Sequence, residues 1–167
     1  APSGYVPKIN YYISDSHLIA GLVRNNFGIG MPDYDGDNYA MTFANCDRLS
    51  RVTLGNGLTS VPRGMFYDCD KLASVKLPRN QWGTTLRSSA FGYCPRLTSI
   101  TIPSTVVSGG YTPFSYSGLT SAEIESGATS VSAGLFSNCE KLTSVTIPST
   151  VTEIGSSAFY GCKALTA

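Results

Sequence analysis

The seven-residue pattern F-x-x-C-x-x-L recurs along most of this chain. It appears as "FANCDRL" from Phe43, "FYDCDKL" from Phe66, "FGYCPRL" from Phe91, "FSNCEKL" from Phe136 and "FYGCKAL" from Phe159. A damaged copy, "FSYSGL" from Phe114, carries Ser117 in the Cys place and lacks one residue before Leu119. Successive Phe positions are 23, 25, 23, 22 and 23 residues apart. A fixed period of this length marks stacked units, because one such unit cannot bury its apolar face alone. Stacking lines up equivalent residues, so the expectation is a Phe ladder, a Cys ladder and a Leu ladder.

The second half of each unit alternates. Apolar residues stand three and five places after the motif Leu: Val52 and Leu54, Val75 and Leu77, Ile100 and Ile102, Ala122 and Ile124, Val145 and Ile147. A period of two in a segment rich in β-branched residues predicts a short strand with one buried face. Pro78, Pro103 and Pro148 then end the strand, since proline cannot donate to a ladder. A second apolar pair follows, clearest as Val151 and Ile154, and "GSSAF" turns the chain toward the next Phe. Spacing and L-x-x-L-x-L pattern together are those of a leucine-rich repeat.

The stretch from Leu142 to Cys162, "LTSVTIPSTVTEIGSSAFYGC", resembles the BspA-type leucine-rich repeat of bacterial surface proteins. That pattern runs L-x-x-I-x-I-P-x-x-V-x-x-I-G-x-x-A-F-x-x-C. It is met at every marked position, with Val145 for the first Ile. The resemblance covers residues 40 to 167. Two units depart from it. "PRNQWGTTLRSSAF" is two residues longer, and "SAEIESGATSVSAGLF" has lost its Pro. Local irregularity is expected at both. The resemblance implies a curved parallel sheet, an extracellular or cell-surface setting, and roles in adhesion or partner binding. The expected fold is therefore an α/β repeat solenoid: a right-handed leucine-rich-repeat coil, a parallel sheet on its concave face and a short N-terminal helical cap.

The cap is placed in residues 1–39, with the repeats in residues 40–167 as about six units, the last incomplete. "ISDSHLIAGLVRNNFG" from Ile13 predicts the helix: Asp15 or Ser16 caps its start, Leu18, Ile19, Leu22 and Val23 form a stripe, and Gly28 ends it. Asp33, Asp35 and Asp37 then have the one-three-five spacing of a calcium loop. Asn38 holds the glycine place, and Ala44 stands where a bidentate Glu is required. An acidic turn without tight ion binding is the reading, with a weak calcium site as its alternative. The lone His17 is expected on the helix surface. At the other end the last strand begins at Leu165, so an open apolar rung is expected. Either the chain is part of a longer array, or a partner or second copy covers that rung, which makes end-to-end self-association a candidate.

Several chemistries are disfavoured. Net charge is +1 with no basic run, so nucleic acid is not an expected partner. No apolar stretch is long enough to span a membrane as a helix. "APSGYVPKINYY" lacks a signal-peptide pattern, so either the chain is not secreted or a signal preceded this numbering. The five cysteines lie in the repeat motif with the closest pair 23 residues apart, unlike a metal-binding C-x-x-C, and the one His is distant. They are expected as buried free thiols. Rung-to-rung disulfides, Cys46 to Cys69 or Cys139 to Cys162, are the alternative. No catalytic set, phosphate loop or cofactor motif is present, so the chain reads as a non-enzymatic module without cofactors.

The outward strand positions remain as binding candidates. They are Arg51 and Thr53, Ser74 and Lys76, Ser99 and Thr101, Ser121 and Glu123, Ser144 and Thr146. Of these, Arg51, Thr53, Lys76, Thr101, Glu123 and Thr146 are the residues expected to meet a protein or glycan ligand on the concave face. Tyr111 and Tyr116 are expected in an exposed aromatic patch. Trp82 is expected to fill the core place that Val151 holds in its unit. A structural spacer that presents another domain and binds little itself is the alternative function.

Overall fold

A Phe that returns every 22 to 25 residues stacks on its counterpart when each unit makes one turn of a coil. The computed structural model of the chain describes residues 43–109 and 111–166, together with the backbone of residues 17–20. Within it Phe43, Phe66, Phe91, Phe114, Phe136 and Phe159 form one continuous stack. Neighbouring ring centroids are 5.5, 5.3, 5.4, 6.2 and 5.7 Å apart. The first five rings are fully buried. The widest step, Phe114 to Phe136, falls where the motif is one residue short.

The strands are β1 (His17–Ala20), β2 (Arg51–Leu54), β3 (Ser60–Val61), β4 (Ser74–Lys76), β5 (Thr84–Leu86), β6 (Ser99–Ile102), β7 (Val106–Val107), β8 (Ser121–Ile124), β9 (Ser130–Val131), β10 (Ser144–Thr146) and β11 (Glu153–Ile154). All pairings are parallel. Each predicted alternating segment contains one strand of a first layer, ordered β1-β2-β4 and β6-β8-β10. Val52, Leu54, Leu77, Ile100, Ile102, Ala122 and Ile124 are buried, Val75 and Val145 are half-buried, and Ile147, expected on the buried face, is instead 41% exposed just after the edge strand β10. β4, β6 and β10 stop just before Pro78, Pro103 and Pro148, where the ladder would lose a donor.

The second apolar pair of each unit forms another layer, which the sequence pattern did not mark as strands. It runs β3-β5-β7 and then β9-β11. The two layers and the Phe-bearing turn enclose the core as three sides of a coil. This is a parallel-strand β-solenoid. Among the described residues there is no helix, so the α/β expectation is corrected.

The helical cap is also corrected where it can be followed. His17–Ala20 is extended and pairs with β2 from His17↔Arg51 to Ala20↔Leu54. The open edge of β2 offers a row of unpaired backbone donors and acceptors. Satisfying them outweighs a helix that must pay its own nucleation cost. The rest of the expected helix and the Asp33, Asp35 and Asp37 loop lie outside the described residues.

The expected irregularities coincide with breaks in the ladders. β4 lies beside β6 without a strand ladder, next to the unit with the longer segment. The second layer is interrupted between β7 and β9, at the unit that lost its Pro. There the shortened turn draws Gly118 N onto the Cys94 carbonyl at 2.9 Å.

All five cysteines are free thiols. Cys69, Cys94 and Cys139 are buried, and Cys46 and Cys162 are half-buried. The thiols of Cys69, Cys94, Cys139 and Cys162 donate to the carbonyls of Phe43, Phe66, Phe114 and Phe136, at 3.1, 3.2, 3.4 and 3.1 Å. The motif Cys therefore satisfies the backbone of the preceding rung.

Candidate functional site

Alternation sends every second residue of the first layer outward. Arg51, Lys76, Thr101, Glu123 and Thr146 are exposed and Thr53 is half-buried. Parallel register arranges them in rows. Ser99 pairs with Ser121 and Ser121 with Ser144, while Thr101 pairs with Glu123 and Glu123 with Thr146. At the other end Arg51 pairs with Ser74, and Thr53 with Lys76. A shallow groove of about 420 Å³ crosses this face from β4 to β10. Ser74, Ser99, Thr101, Ser121, Glu123, Ser144 and Thr146 line it. Glu123 stands between two threonines, and the cations Arg51 and Lys76 lie toward β2. Such a surface offers many hydroxyl donors and acceptors and one carboxylate, but no nucleophile–base pair. Among the described residues no group of three or more His, Cys, Asp or Glu is gathered to hold a metal.

The aromatic candidates divide. Tyr111 is half-buried: its hydroxyl accepts from Arg87 Nη1 at 2.9 Å, and the Arg87 guanidinium sits 5.2 Å from its ring centroid. It braces two neighbouring units rather than facing solvent freely. Tyr116 is 45% exposed and does not stand alone. Its ring lies 5.0 Å from that of Tyr93, which lies 5.3 Å from Tyr67. The three border a cleft of about 500 Å³ with Arg63, Ser89, Thr112, Ser115 and Asn138. Desolvation, followed by the neighbouring phenols and Glu140, raises the Tyr93 pKa, so its hydroxyl keeps its proton.

Tyr67 and Tyr93 were not among the sequence candidates; the signal of Tyr93 is visible in the motif, whereas Tyr67, directly after its Phe, carries none. The third motif position has positive φ in all six units: Asn45, Asp68, Tyr93, Tyr116, Asn138 and Gly161. Asn, Asp and Gly tolerate that conformation. A bulky tyrosine does so at a cost of roughly 1–2 kcal/mol. Two tyrosines at a position that suits Asn or Gly are therefore conspicuous in the sequence itself.

Trp82 corrects a second expectation. It is 82% exposed and fills no core place. The longer segment of its unit carries it outward. Buried Asn80 fixes the loop, its amide donating to the Leu58 carbonyl at 3.0 Å and its side-chain oxygen accepting from Trp82 N at 2.9 Å. Arg79 forms an ion pair with Glu125 beside it. Leu86 and Thr84, in β5, take the buried places instead.

The charged pair Lys163–Glu140 links the last two rungs at 2.7 Å. In the last rung Ile154 is 51% exposed and Tyr160 is open to solvent. No helix among the described residues is long and apolar enough to cross a membrane.

The family model for the BspA type leucine rich repeat region matches residues 39–166, in 6 copies. Three solved structures are similar to the chain. A leucine rich repeat protein of T. pallidum is 21% identical, covering 75% of this chain and 69% of that one, with a TM-score of 0.49. A leucine rich cell surface protein of Faecalibacterium prausnitzii A2-165 is 28% identical over 71% of this chain and 38% of its own length, TM-score 0.46. A leucine-rich repeat protein of Bacteroides ovatus ATCC 8483 is 21% identical over 75% and 38%, TM-score 0.48. The chain thus spans well under half of the last two. No curated protein matches it.

Proposed function

Because the chain belongs to the BspA-type leucine-rich repeat family, we propose that it is a non-enzymatic binding module of a cell-surface or secreted protein, holding a protein or glycan partner across the outer face of β4 to β10. One observation carries this reading. Register places Thr101, Glu123 and Thr146 in a single row on the floor of the groove, with the serine row beside it. A rigid parallel sheet presents these groups already ordered, which lowers the entropy lost on binding. Small hydroxyl side chains leave room for a partner's own side chains or sugar rings. Family membership supports the extracellular setting and the adhesive role.

The test is a variant with Thr101→Ala, Glu123→Ala and Thr146→Ala, measured by surface plasmon resonance against a panel of extracellular-matrix proteins and glycans. The three side chains are exposed, so the melting temperature should hold. Affinity for the partner bound by the unaltered protein should fall at least tenfold. Unchanged affinity removes the groove from the binding surface. Failure of the unaltered protein to bind any panel member would favour the spacer role.

A further inference from the structure

The motif turn carries a feature that the sheet face does not explain. In four units the residue two places after the Phe is Asn45, Asp68, Asn138 or Gly161, and the backbone there is left-handed. In the two middle units Tyr93 and Tyr116 adopt the same conformation, at φ 53 and 57. Bulky side chains rarely occupy that region, and here neither ring enters the core: the two are 44% and 45% exposed. A local rule broken outside the core points to a functional position.

The rings form a strip with Tyr67, at 5.3 and 5.0 Å between centroids, with successive planes tilted by 58° and 34°. Neutral hydrogen-bonding groups flank it, and Arg63 is the one charged residue of the cleft wall. Ser89 and Ser115 lie with hydroxyls 3.2 Å apart, and Thr112 and Asn138 complete the cleft wall. We propose that this tyrosine strip is a carbohydrate-binding site, separate from the sheet face, that takes an extended neutral oligosaccharide.

The chemistry of the lining selects that ligand class. A pyranose has an apolar C–H face that lies on aromatic carbon, and a rim of hydroxyls that donate and accept at once. Serine, threonine and tyrosine hydroxyls do the same, and an asparagine amide supplies both functions from separate atoms. The strip repeats at the rung spacing, which suits a ligand that itself repeats along its length. A polyproline segment docks by seating proline rings in slots between aromatic side chains. Here adjacent rings touch, and no slot separates them.

The fold supplies its own control for the experiment. Asn is the residue found at this turn position in two other units, so Tyr93→Asn with Tyr116→Asn should fold with an equal or higher melting temperature. Cellotetraose, chitotetraose, maltotetraose and a proline decapeptide would be titrated calorimetrically into the unaltered protein, into this double variant and into the Thr101, Glu123, Thr146 alanine variant. Saturable binding of at least one tetrasaccharide is expected, lost at least tenfold in the double variant and retained in the sheet-face variant. In the unaltered protein, that sugar should shift the NMR ring signals of Tyr67, Tyr93 and Tyr116, a readout independent of whether the double variant folds. No tetrasaccharide binding, equal binding by a folded double variant, ring signals that do not move, or tyrosine-dependent binding of the peptide alone would each overturn the proposal. Loss in the sheet-face variant alone would assign the sugar to the groove instead.

Discussion

The Cys94 thiol donates to the carbonyl oxygen of Phe66 at 3.2 Å, reaching back across one turn of the coil. The two residues are 28 apart in sequence. Their pairing joins a packing residue of one rung to the backbone of the rung before it, and both are fully buried. Cys94→Ala should therefore cost more than a small side chain suggests. It leaves a buried carbonyl short of a donor and opens a void, for a loss of about 1–3 kcal/mol. Chemical denaturation of the variant checks this, and an unchanged midpoint would mean that the thiol only fills space.

The damaged unit offers the converse experiment. Ser117 stands in the Cys place, buried beside the Cys139 thiol, with its hydroxyl making no bond at ordinary hydrogen-bond geometry. Ser117→Cys replaces an unsatisfied hydroxyl with a group that the rung accommodates elsewhere. A gain of about 0.5–1.5 kcal/mol is expected, read as a higher melting temperature. A lower one would show that the shortened turn cannot seat the sulfur.

Gly118 next to it should tolerate nothing larger. A Cβ there would lie 2.0 Å from the Pro95 carbonyl oxygen and 2.7 Å from its carbon. Both are backbone atoms, so the turn itself must move. Gly118→Ala should destabilise by about 1–3 kcal/mol, the usual range for overpacking. Circular dichroism melting against the unaltered protein measures it.

Thiol reactivity should follow position in the ladder. Burial pushes Cys94 and Cys139 up to about 12 from an ordinary 9.0. A hydrogen bond with Cys69 lowers the pKa of half-buried Cys46, and the same contact raises that of Cys69. Iodoacetamide at mildly alkaline pH should label Cys46 first and the buried Cys69, Cys94 and Cys139 last in the native protein, as read by peptide mass spectrometry. Equal rates at all five would mean that the rungs open together.

The same shifts predict a pH dependence. In the unfolded chain Cys94 and Cys139 lose their protons near 9, while in the folded one they keep them to about 12. Folding thus binds protons in this window. The contribution of these thiols to stability is complete below about 9 and is lost as pH rises toward 12. Urea midpoints taken between pH 8 and pH 11 should fall for the unaltered protein. They should fall less for a variant with Cys94→Ala and Cys139→Ala.

Much of the fold was legible in the residues because the repeat is strict. Phe spacing foretold the ring stack, and alternation after each motif Leu foretold β2, β4, β6, β8 and β10. The two departing units foretold where the ladders break. The second layer was less visible, since β3, β7, β9 and β11 are two residues each, too short for a period to show. The outward row of Thr101, Glu123 and Thr146 was legible through parity alone. Its neighbours across strands were not, because register is a relation between units.

Sequence by itself determined the period, the identity of each ladder and the inward or outward sense of the first-layer residues, apart from Ile147, which was expected inward and is exposed. These follow from local spacing and from the need of every unit to bury the same face. Tertiary structure alone decided what happens where the repeat is broken or unpaired. His17–Ala20 became a strand because β2 had a free edge, and Trp82 left the core because two extra residues lengthened its loop. Tyr67, Tyr93 and Tyr116 became one strip only because stacked turns carry residues some 25 positions apart to within ring contact.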